Sequence, residues 1–346
     1  MGNIKVGLIG YGLSGSVFHA PIIRSLKGFE LVKVVSSDPD KVHKDLAHVE
    51  VVANEEQLLN DAGIELVVIA APNLQHYDLA KRSLEAGKHT IVEKPFVIES
   101  AEGEELIRLA KQKNKIISVY HNRRWDNDFL TIRSLIEHGK LGDIYTYEAH
   151  YDRYRPEVRD RWREQSLQGS GVLYDLGSHL IDQALCLFGF PEFVTADVLS
   201  QRHEASIDDY FHIVLGYGRM RVILHSGSIV KNPGPHFQIH GSKGSFVKYG
   251  LDSQEDALKS GLKPGAPLWG MDREEWYGEL TFGEGDTAVK TKVETIPGSY
   301  EAYYTGMYEA IRNRQPAPVT AEEALHVIRV IEAAMKSSKE HNTVYF

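Results

Sequence analysis

The sequence of 346 residues holds a single cysteine, Cys186. No intramolecular disulfide can form, and a reducing cytoplasm is the expected compartment. Cys186 lies among Leu185, Leu187 and Phe188, where it reads as core filling. Basic residues are not in excess: 39 Lys and Arg stand against 48 Asp and Glu, a formal charge of −9. That balance argues against nucleic acid as a main partner. No apolar run reaches the ~18 residues of a membrane span. The short N-terminal apolar run ends in glycine and lacks the cleavage site of a signal peptide. No internal repeat or low-complexity block is present. The apolar content of 42% excludes global disorder and supplies a core for each of two domains, the number the length favours.

The first third alternates strand and helix. Strands are expected at Lys5–Ile9, Glu30–Val35, Glu50–Val52, Glu65–Ala70, His89–Val92 and Ile116–Tyr120. Helices fall between them, at Val17–Leu26, after Asn54, at Asn73–Ala86 before Gly87, and from a Ser100 cap to Lys113. Near-continuous apolar strands with helical crossovers mean a parallel sheet covered on both faces. The pattern changes near residue 122. Alternating segments follow at Ile144–Tyr154, Glu192–Arg202, Tyr210–Tyr217 and Met220–Val230. Phe237–His240 and Ser245–Tyr249 flank a turn at Gly241–Gly244. These predict antiparallel strands with one wet face. Residues 251–285, rich in Gly, Asp and Glu, are expected to be loops. Thr320 and Glu323 form a capping box for a helix to about Lys336. The fold class is therefore α/β: a doubly wound parallel sheet over residues 1–122, then an α+β domain over 123–346 with an open, mainly antiparallel sheet.

The first strand runs into Gly10-Tyr11-Gly12-Leu13-Ser14-Gly15 and then a helix. The first glycine of such a GxGxxG turn permits the tight bend. The second admits the pyrophosphate to the backbone, and the third lets helix and strand pack closely. The helix N-terminus offers N–H groups and a positive dipole end to the phosphates. This is the Rossmann dinucleotide arrangement. An acid at the end of the second strand would hold a ribose 2′-hydroxyl. Here the strand ends in Ser36-Ser37, with Lys41 nearby, a set suited to a 2′-phosphate and therefore to NADP. Asp38 is the rival ligand, and would favour NAD.

The fifth strand ends in Glu93-Lys94-Pro95, at the carboxyl edge where ligands bind. A lysine there lies near a cationic, partly dry nicotinamide, which lowers its pKa and makes proton exchange feasible, while Glu93 opposes the shift. Asp175 and His179, four apart on a predicted helix Val172–Leu187, share one face. Asp182 could join them. A carboxylate beside an imidazole fixes its tautomer. Gly169 and Gly171 free the chain just before this helix. Ala71-Pro72-Asn73 ends the most apolar strand, with Asn73 also able to cap a helix. His121-Asn122 ends the sixth strand. Arg123 and Arg124 suit an anion or acidic partners. No HExxH or Cys/His ligand spacing is present, so no metal is expected.

Together these residues resemble the Gfo/Idh/MocA family, the glucose–fructose oxidoreductase and inositol dehydrogenase group. The likeness rests on Gly10–Gly15, Ala71-Pro72-Asn73 with His76, Glu93-Lys94-Pro95, and Gly169-Ser170-Gly171 followed by Asp175, His179 and Asp182. It covers essentially the whole chain. His121–Asp126, Arg159–Glu164 and Gly241–Ser245 are similar to a bacterial subgroup containing NADP-dependent scyllo-inositol dehydrogenases. Gly-Ser-Gly departs from the family's usual three glycines.

The resemblance implies an enzyme that moves hydride between a nicotinamide and a secondary alcohol or ketone of a cyclic polyol or sugar. Lys94 and His179 would act on the substrate hydroxyl, with Asp175 beside them. Ala71, Pro72, Asn73, His76 and Asn122 would line the cofactor, as would Trp162 and Arg163 of the basic stretch Arg153–Arg163. Dimers or tetramers would form through the second domain's sheet. Two alternatives stand: another sugar substrate, such as an aldose, an anhydro sugar or a deoxy-sugar ketone, or a non-catalytic dinucleotide sensor. The presence of Lys94, Asp175 and His179 argues against the sensor.

Overall fold

The computed structural model describes residues 2–160, 162–283 and 285–346, with only the backbone at residues 163 and 286. The chain divides into two compact units. One holds residues 1–122, 254–269 and 299–325; the other holds 123–253, 270–298 and 326–346.

The first unit carries six parallel strands: β1 (Ile4–Ile9), β2 (Phe29–Val35), β3 (Glu50–Val52), β4 (Leu66–Ile69), β5 (His89–Val92) and β6 (Ile117–Val119). Their order is β3-β2-β1-β4-β5-β6. The reversal of winding falls between β1 and β4, which places the ends of β1, β2 and β4 at the ligand-binding switch point. All four residues of β4 are buried, as a strand covered on both faces requires. Asn54 caps its helix by accepting a hydrogen bond from the Gln57 N–H. The helix Ser100–Lys113 is capped one residue earlier than expected. Glu99 and Glu102 form a reciprocal capping box there, leaving Ser100 as the first helical residue.

The second unit carries β7 (Ile144–His150), β8 (Phe193–Leu199), β9 (Tyr210–Tyr217), β10 (Met220–Gly227), β11 (Phe237–Gly241), β12 (Gly244–Lys248), β13 (Gly278–Phe282), β14 (Val289–Val293) and β15 (Val344–Tyr345). They form one sheet in the order β14-β13-β12-β11-β7-β10-β9-β8-β15. Only the β7–β10 neighbours among these run parallel. Buried residues Tyr147, Ala149, Ile213, Leu215, Val222, Leu224, Phe237 and Ile239 mark the core face.

Residues 251–285 are more ordered than their composition implies. They contain the helix Gln254–Lys259 and strand β13. Buried Gln254 accepts a hydrogen bond from the Tyr300 N–H, an anchor that hydropathy does not show. Gly278 lets the Phe246 ring pack where a Cβ would lie within 2.1 Å of it. The edge strand β14 also escaped the apolar pattern because it is mostly exposed. Its Lys290 and Lys292 suit an edge that must resist further pairing. The capping box of Thr320 and Glu323 forms as expected, and its helix continues to Glu340.

Candidate active site

In the first unit the glycine turn has the three features a pyrophosphate cradle needs. Gly10 has φ +95°, and a Cβ there would lie 2.6 Å from the Ala70 carbonyl oxygen. Gly15 packs so tightly that a Cβ would lie 2.1 Å from the Gly10 carbonyl oxygen. At Gly12 a Cβ would meet nothing within 4 Å. The outer two glycines are thus demanded by packing, whereas the middle one faces open space suited to a phosphate. The following helix opens with a π turn, Ser14–His19, before the α-helix Ala20–Ser25. Leu13 is exposed at the mouth of the turn.

The end of β2 carries no acid directly. The Ser36 hydroxyl accepts a hydrogen bond from the Asp38 N–H, and the Asp38 carboxylate caps the helix Pro39–Asp45 through the Lys41 N–H. Lys41 reaches the glycine turn: its ammonium donates to the Tyr11 carbonyl oxygen at 3.0 Å. Ser37 is exposed next to this set. The Tyr11 hydroxyl donates to Asp45, and burial, with that carboxylate, pushes its pKa up to about 12.

Glu93 ties the glycine-turn helix to the end of β5. Its Oε1 accepts from the Ser14 hydroxyl and lies 3.0 Å from His19 Nε2, while Oε2 accepts from the Lys94 N–H. Burial disfavours its charge, but His19 and Ser14 more than offset this and hold the carboxyl at about 2. The His19 ring also meets the Tyr304 hydroxyl, 2.6 Å from Nδ1. Buried His76 sits between two turns, with Nδ1 2.7 Å from the Pro95 carbonyl oxygen and Nε2 3.0 Å from that of Ala71. Burial keeps its pKa below the ordinary value. Glu93 and His76 thus position the turns around Lys94 and Ala71-Pro72. Asn73 opens the short helix Asn73–Gln75 as its first residue, with Pro72 at the cap position. Asn122 is buried where a short helix Asn122–Trp125 begins.

In the second unit Gly169 and Gly171 adopt φ +73° and +88°. Ser170, between them, is buried and donates to the Trp162 carbonyl oxygen, so the serine replaces the usual glycine without strain. Asp175 lies in a π turn, Leu173–Gly177, and His179 in the α-helix Ser178–Phe188 that follows. Such π turns recur at functional sites because they re-aim side chains. Asp175 Oδ2 lies 3.7 Å from Arg153 Nη2. The Asp182 carboxylate takes a bidentate pair of bonds from buried Arg124, at 2.8 and 2.9 Å. Arg123 pairs with Asp126 at 3.1 Å. These two arginines therefore hold acids.

A pocket of the second unit is lined by Arg153, Arg155, Glu164, Asp175, Arg202 and Asp208, among others. One of its acids, Asp208, carries no sequence signature. Asp208 accepts the Leu173 N–H at 2.8 Å, and burial raises its pKa to about 6. A Cβ at Gly171 would lie 1.9 Å from its Oδ1, so the glycine makes room for the carboxylate. Arg202 joins Glu164 and Asp209 and bonds the carbonyls of Arg155 and Glu157. The basic stretch is therefore fastened by an arginine lying far along the chain. Trp162 begins the short helix Trp162–Glu164, while Arg161 and the Arg163 side chain lie outside the described residues.

A dinucleotide cradle in one unit and a carboxylate-and-arginine pocket in the other define a two-domain, nicotinamide-dependent oxidoreductase. Two family models confirm the class. Residues 4–121 match the NAD-binding Rossmann fold of the GFO_IDH_MocA oxidoreductase family, and residues 133–346 match its C-terminal alpha/beta domain. The chain belongs to the Gfo/Idh/MocA family of oxidoreductases. It is 51% identical to scyllo-inositol 2-dehydrogenase (NADP(+)) IolW of Bacillus subtilis, over 99% of this chain and 96% of that one. It is 46% identical to the uncharacterized oxidoreductase YdgJ of Escherichia coli, over 99% and 98%. The solved structure of the Bacillus subtilis oxidoreductase yvaA superposes with a TM-score of 0.98 at 50% identity, covering 100% of this chain and 99% of that one. No helix among the described residues is long and apolar enough to cross a membrane.

Proposed function

We propose that the enzyme is an NADP-dependent dehydrogenase of a secondary alcohol on a cyclic polyol, with scyllo-inositol the leading substrate. In the reverse direction it reduces the corresponding ketone. The observation that carries this reading is the end-to-end likeness to an NADP-dependent scyllo-inositol 2-dehydrogenase. The end of β2 supports the cofactor choice. Ser36 stands at the strand end, Asp38 is engaged as a helix cap, and the Lys41 ammonium lies at the glycine turn. That is a cationic, hydroxyl-bearing setting for a 2′-phosphate.

Gly10 to Gly15 would hold the pyrophosphate, and Ser36, Ser37 and Lys41 the 2′-phosphate. Ala71, Pro72, Asn73, Asn122 and Trp162 are the proposed lining of the remaining cofactor. When bound, the nicotinamide accepts or supplies the hydride, and the redox chemistry is the cofactor's own. Lys94 and His179 exchange the hydroxyl proton of the substrate, and Asp175 orients His179. Glu93 and His76 fix the turns that carry Lys94. Residues 1–122 are proposed as the cofactor-binding domain, and 123–346, apart from the segments 254–269 and 299–325 that belong to the first unit, as the substrate-binding and assembly domain. The enzyme is proposed to be cytoplasmic and to form dimers or tetramers through the open sheet, which light scattering measures.

The Lys94→Ala variant tests the mechanism. Turnover should fall about 100-fold or more while NADPH binding, read by fluorescence titration, stays intact. A variant with near-normal turnover would remove the lysine from the mechanism.

A further inference from the structure

The second unit holds a polar cluster that the proposed reaction does not use. β7 and β10 run parallel, with His150 directly opposite His225. Asp152 follows two residues on, where the chain still tracks β10. Its Oδ1 accepts the Gly227 N–H at 2.9 Å, which fixes the carboxylate. His150 Nδ1 lies 3.5 Å from Asp152 Oδ2, and His225 Nε2 lies 3.4 Å from Asp152 Oδ1. Among the described residues these three side chains form a group whose donor atoms all lie within 4.8 Å of one another.

From this geometry we infer a divalent metal site of the zinc class, with His150 Nδ1, His225 Nε2 and Asp152 as its three protein ligands. The distances fit the ion. Metal–nitrogen and metal–oxygen bonds of about 2.0–2.1 Å in a tetrahedron set donor atoms about 3.3 Å apart. Each imidazole nitrogen already stands at nearly that distance from one oxygen of the Asp152 carboxylate, His150 Nδ1 from Oδ2 and His225 Nε2 from Oδ1. Nitrogen and carboxylate donors without sulfur suit zinc and neighbouring divalent ions. A support of the usual kind is also in place. His150 Nε2 is buried without a hydrogen bond within 3.5 Å, and Glu148 Oε2 stands 3.7 Å from it. A small closing movement gives the carboxylate–histidine–metal arrangement that orients a ligating imidazole.

The fourth position is left to water. The linear sequence could not show this group, because a His-x-Asp pair on one strand meets a histidine some seventy positions later only through strand pairing.

The site has a structural role to play. Just beyond β7, the backbone N–H groups of the pocket residues Arg153 and Arg155 donate to the Gly227 and Ser228 carbonyls. An ion joining His150, Asp152 and His225 would clamp the strand pair just before those residues.

The test uses the full chain, stripped with chelator and titrated with Zn2+ by calorimetry, then with Co2+ by visible absorption. One ion per chain should bind with micromolar or tighter affinity, and Co2+ should give the intense bands of a tetrahedral site. The His150→Ala/His225→Ala double variant should lose that one equivalent. Glu148→Gln should weaken it by about 10-fold or more. His212→Ala should not change it, since its ring is near His225 but outside the group. Asp152→Asn keeps an acceptor for the Gly227 N–H and guards against a folding defect; it too should lose the ion. Absence of binding to the wild type, or an unchanged stoichiometry in both the double variant and Asp152→Asn, overturns the proposal. Neither readout depends on turnover, so failure of the polyol reading would leave this test intact.

Discussion

Replacing Arg202 by methionine tests how the second unit holds its pocket. The Arg202 side chain is 6% exposed and lies between Glu164, 8% exposed, and Asp209, 1% exposed. Its Nε donates to Asp209 at 2.8 Å, and Nη1 to Glu164 at 3.0 Å and to the carbonyls of Glu157 and Arg155 at 3.0 and 3.2 Å. Methionine fills similar space but removes the cation that the two buried carboxylates share. Breaking such a pair from one side costs about 3–5 kcal/mol. Both acids keep backbone donors, Gln201 N–H on Asp209 and Arg159 N–H on Glu164, which places the cost near the lower bound. For a unit of this size, ~3 kcal/mol lowers Tm by roughly 6–12 °C. Arg202→Lys restores charge but not the fork, and should recover about half of the loss. Because Arg202 also fastens residues 155–164, KM for the alcohol should rise more than kcat falls. Calorimetry and steady-state kinetics read the two effects. A methionine variant within about 2 °C of wild type, with unchanged KM, would refute the reasoning.

The glycine turn separates packing from binding. Gly12→Ala should leave Tm unchanged and weaken NADPH binding about 10-fold or more, since its Cβ enters only the ligand's space. Gly15→Ala should lower stability by about 1–3 kcal/mol as well, because its Cβ meets the Gly10 carbonyl. Lys41→Met should weaken NADPH about 10-fold while leaving NADH nearly unaffected, read by paired fluorescence titrations. Asp208 binds its proton more tightly in the folded chain, with a pKa raised from 3.8 to about 6. The folded state therefore holds the extra proton between those values, and the stability from this group falls as pH rises through the window. Asp208→Asn should remove that slope and stabilise the protein above pH 6 by up to about 3 kcal/mol, measured by urea denaturation at pH 4.5 and 7.

The parallel sheet was legible because its strands are apolar throughout and its turn needs glycines for steric reasons. Gly10 and Gly15 are required by contacts with backbone oxygens, and such demands leave a readable spacing. Asn54 and the Thr320–Glu323 box were legible for a similar reason, since caps act over three residues. The helix at Gln254 and strand β13 were hidden because their burial depends on partners far along the chain, Tyr300 and Phe246. The site divides in the same way. The glycine turn, Ser36 and the Glu93-Lys94-Pro95 turn sit at strand ends and follow from the order of elements. Asp182 shows the limit of helical periodicity. Spacing allowed it to join the face of Asp175 and His179, but could not show the partner its side chain takes, Arg124. Arg202, Asp208 and the His150–Asp152–His225 group were invisible because tertiary pairing alone assembles them.

The central claim is tested most directly by following NADP+ and NAD+ reduction at 340 nm with scyllo-inositol, myo-inositol, glucose, xylose and an anhydro sugar alcohol. Rapid reduction of NADP+ with scyllo-inositol, and much slower reduction of NAD+, is the expected result. Preference for NAD+ would contradict the role given to Ser36 and Lys41. Tight NADPH binding without turnover of any of these alcohols would contradict the polyol dehydrogenase itself.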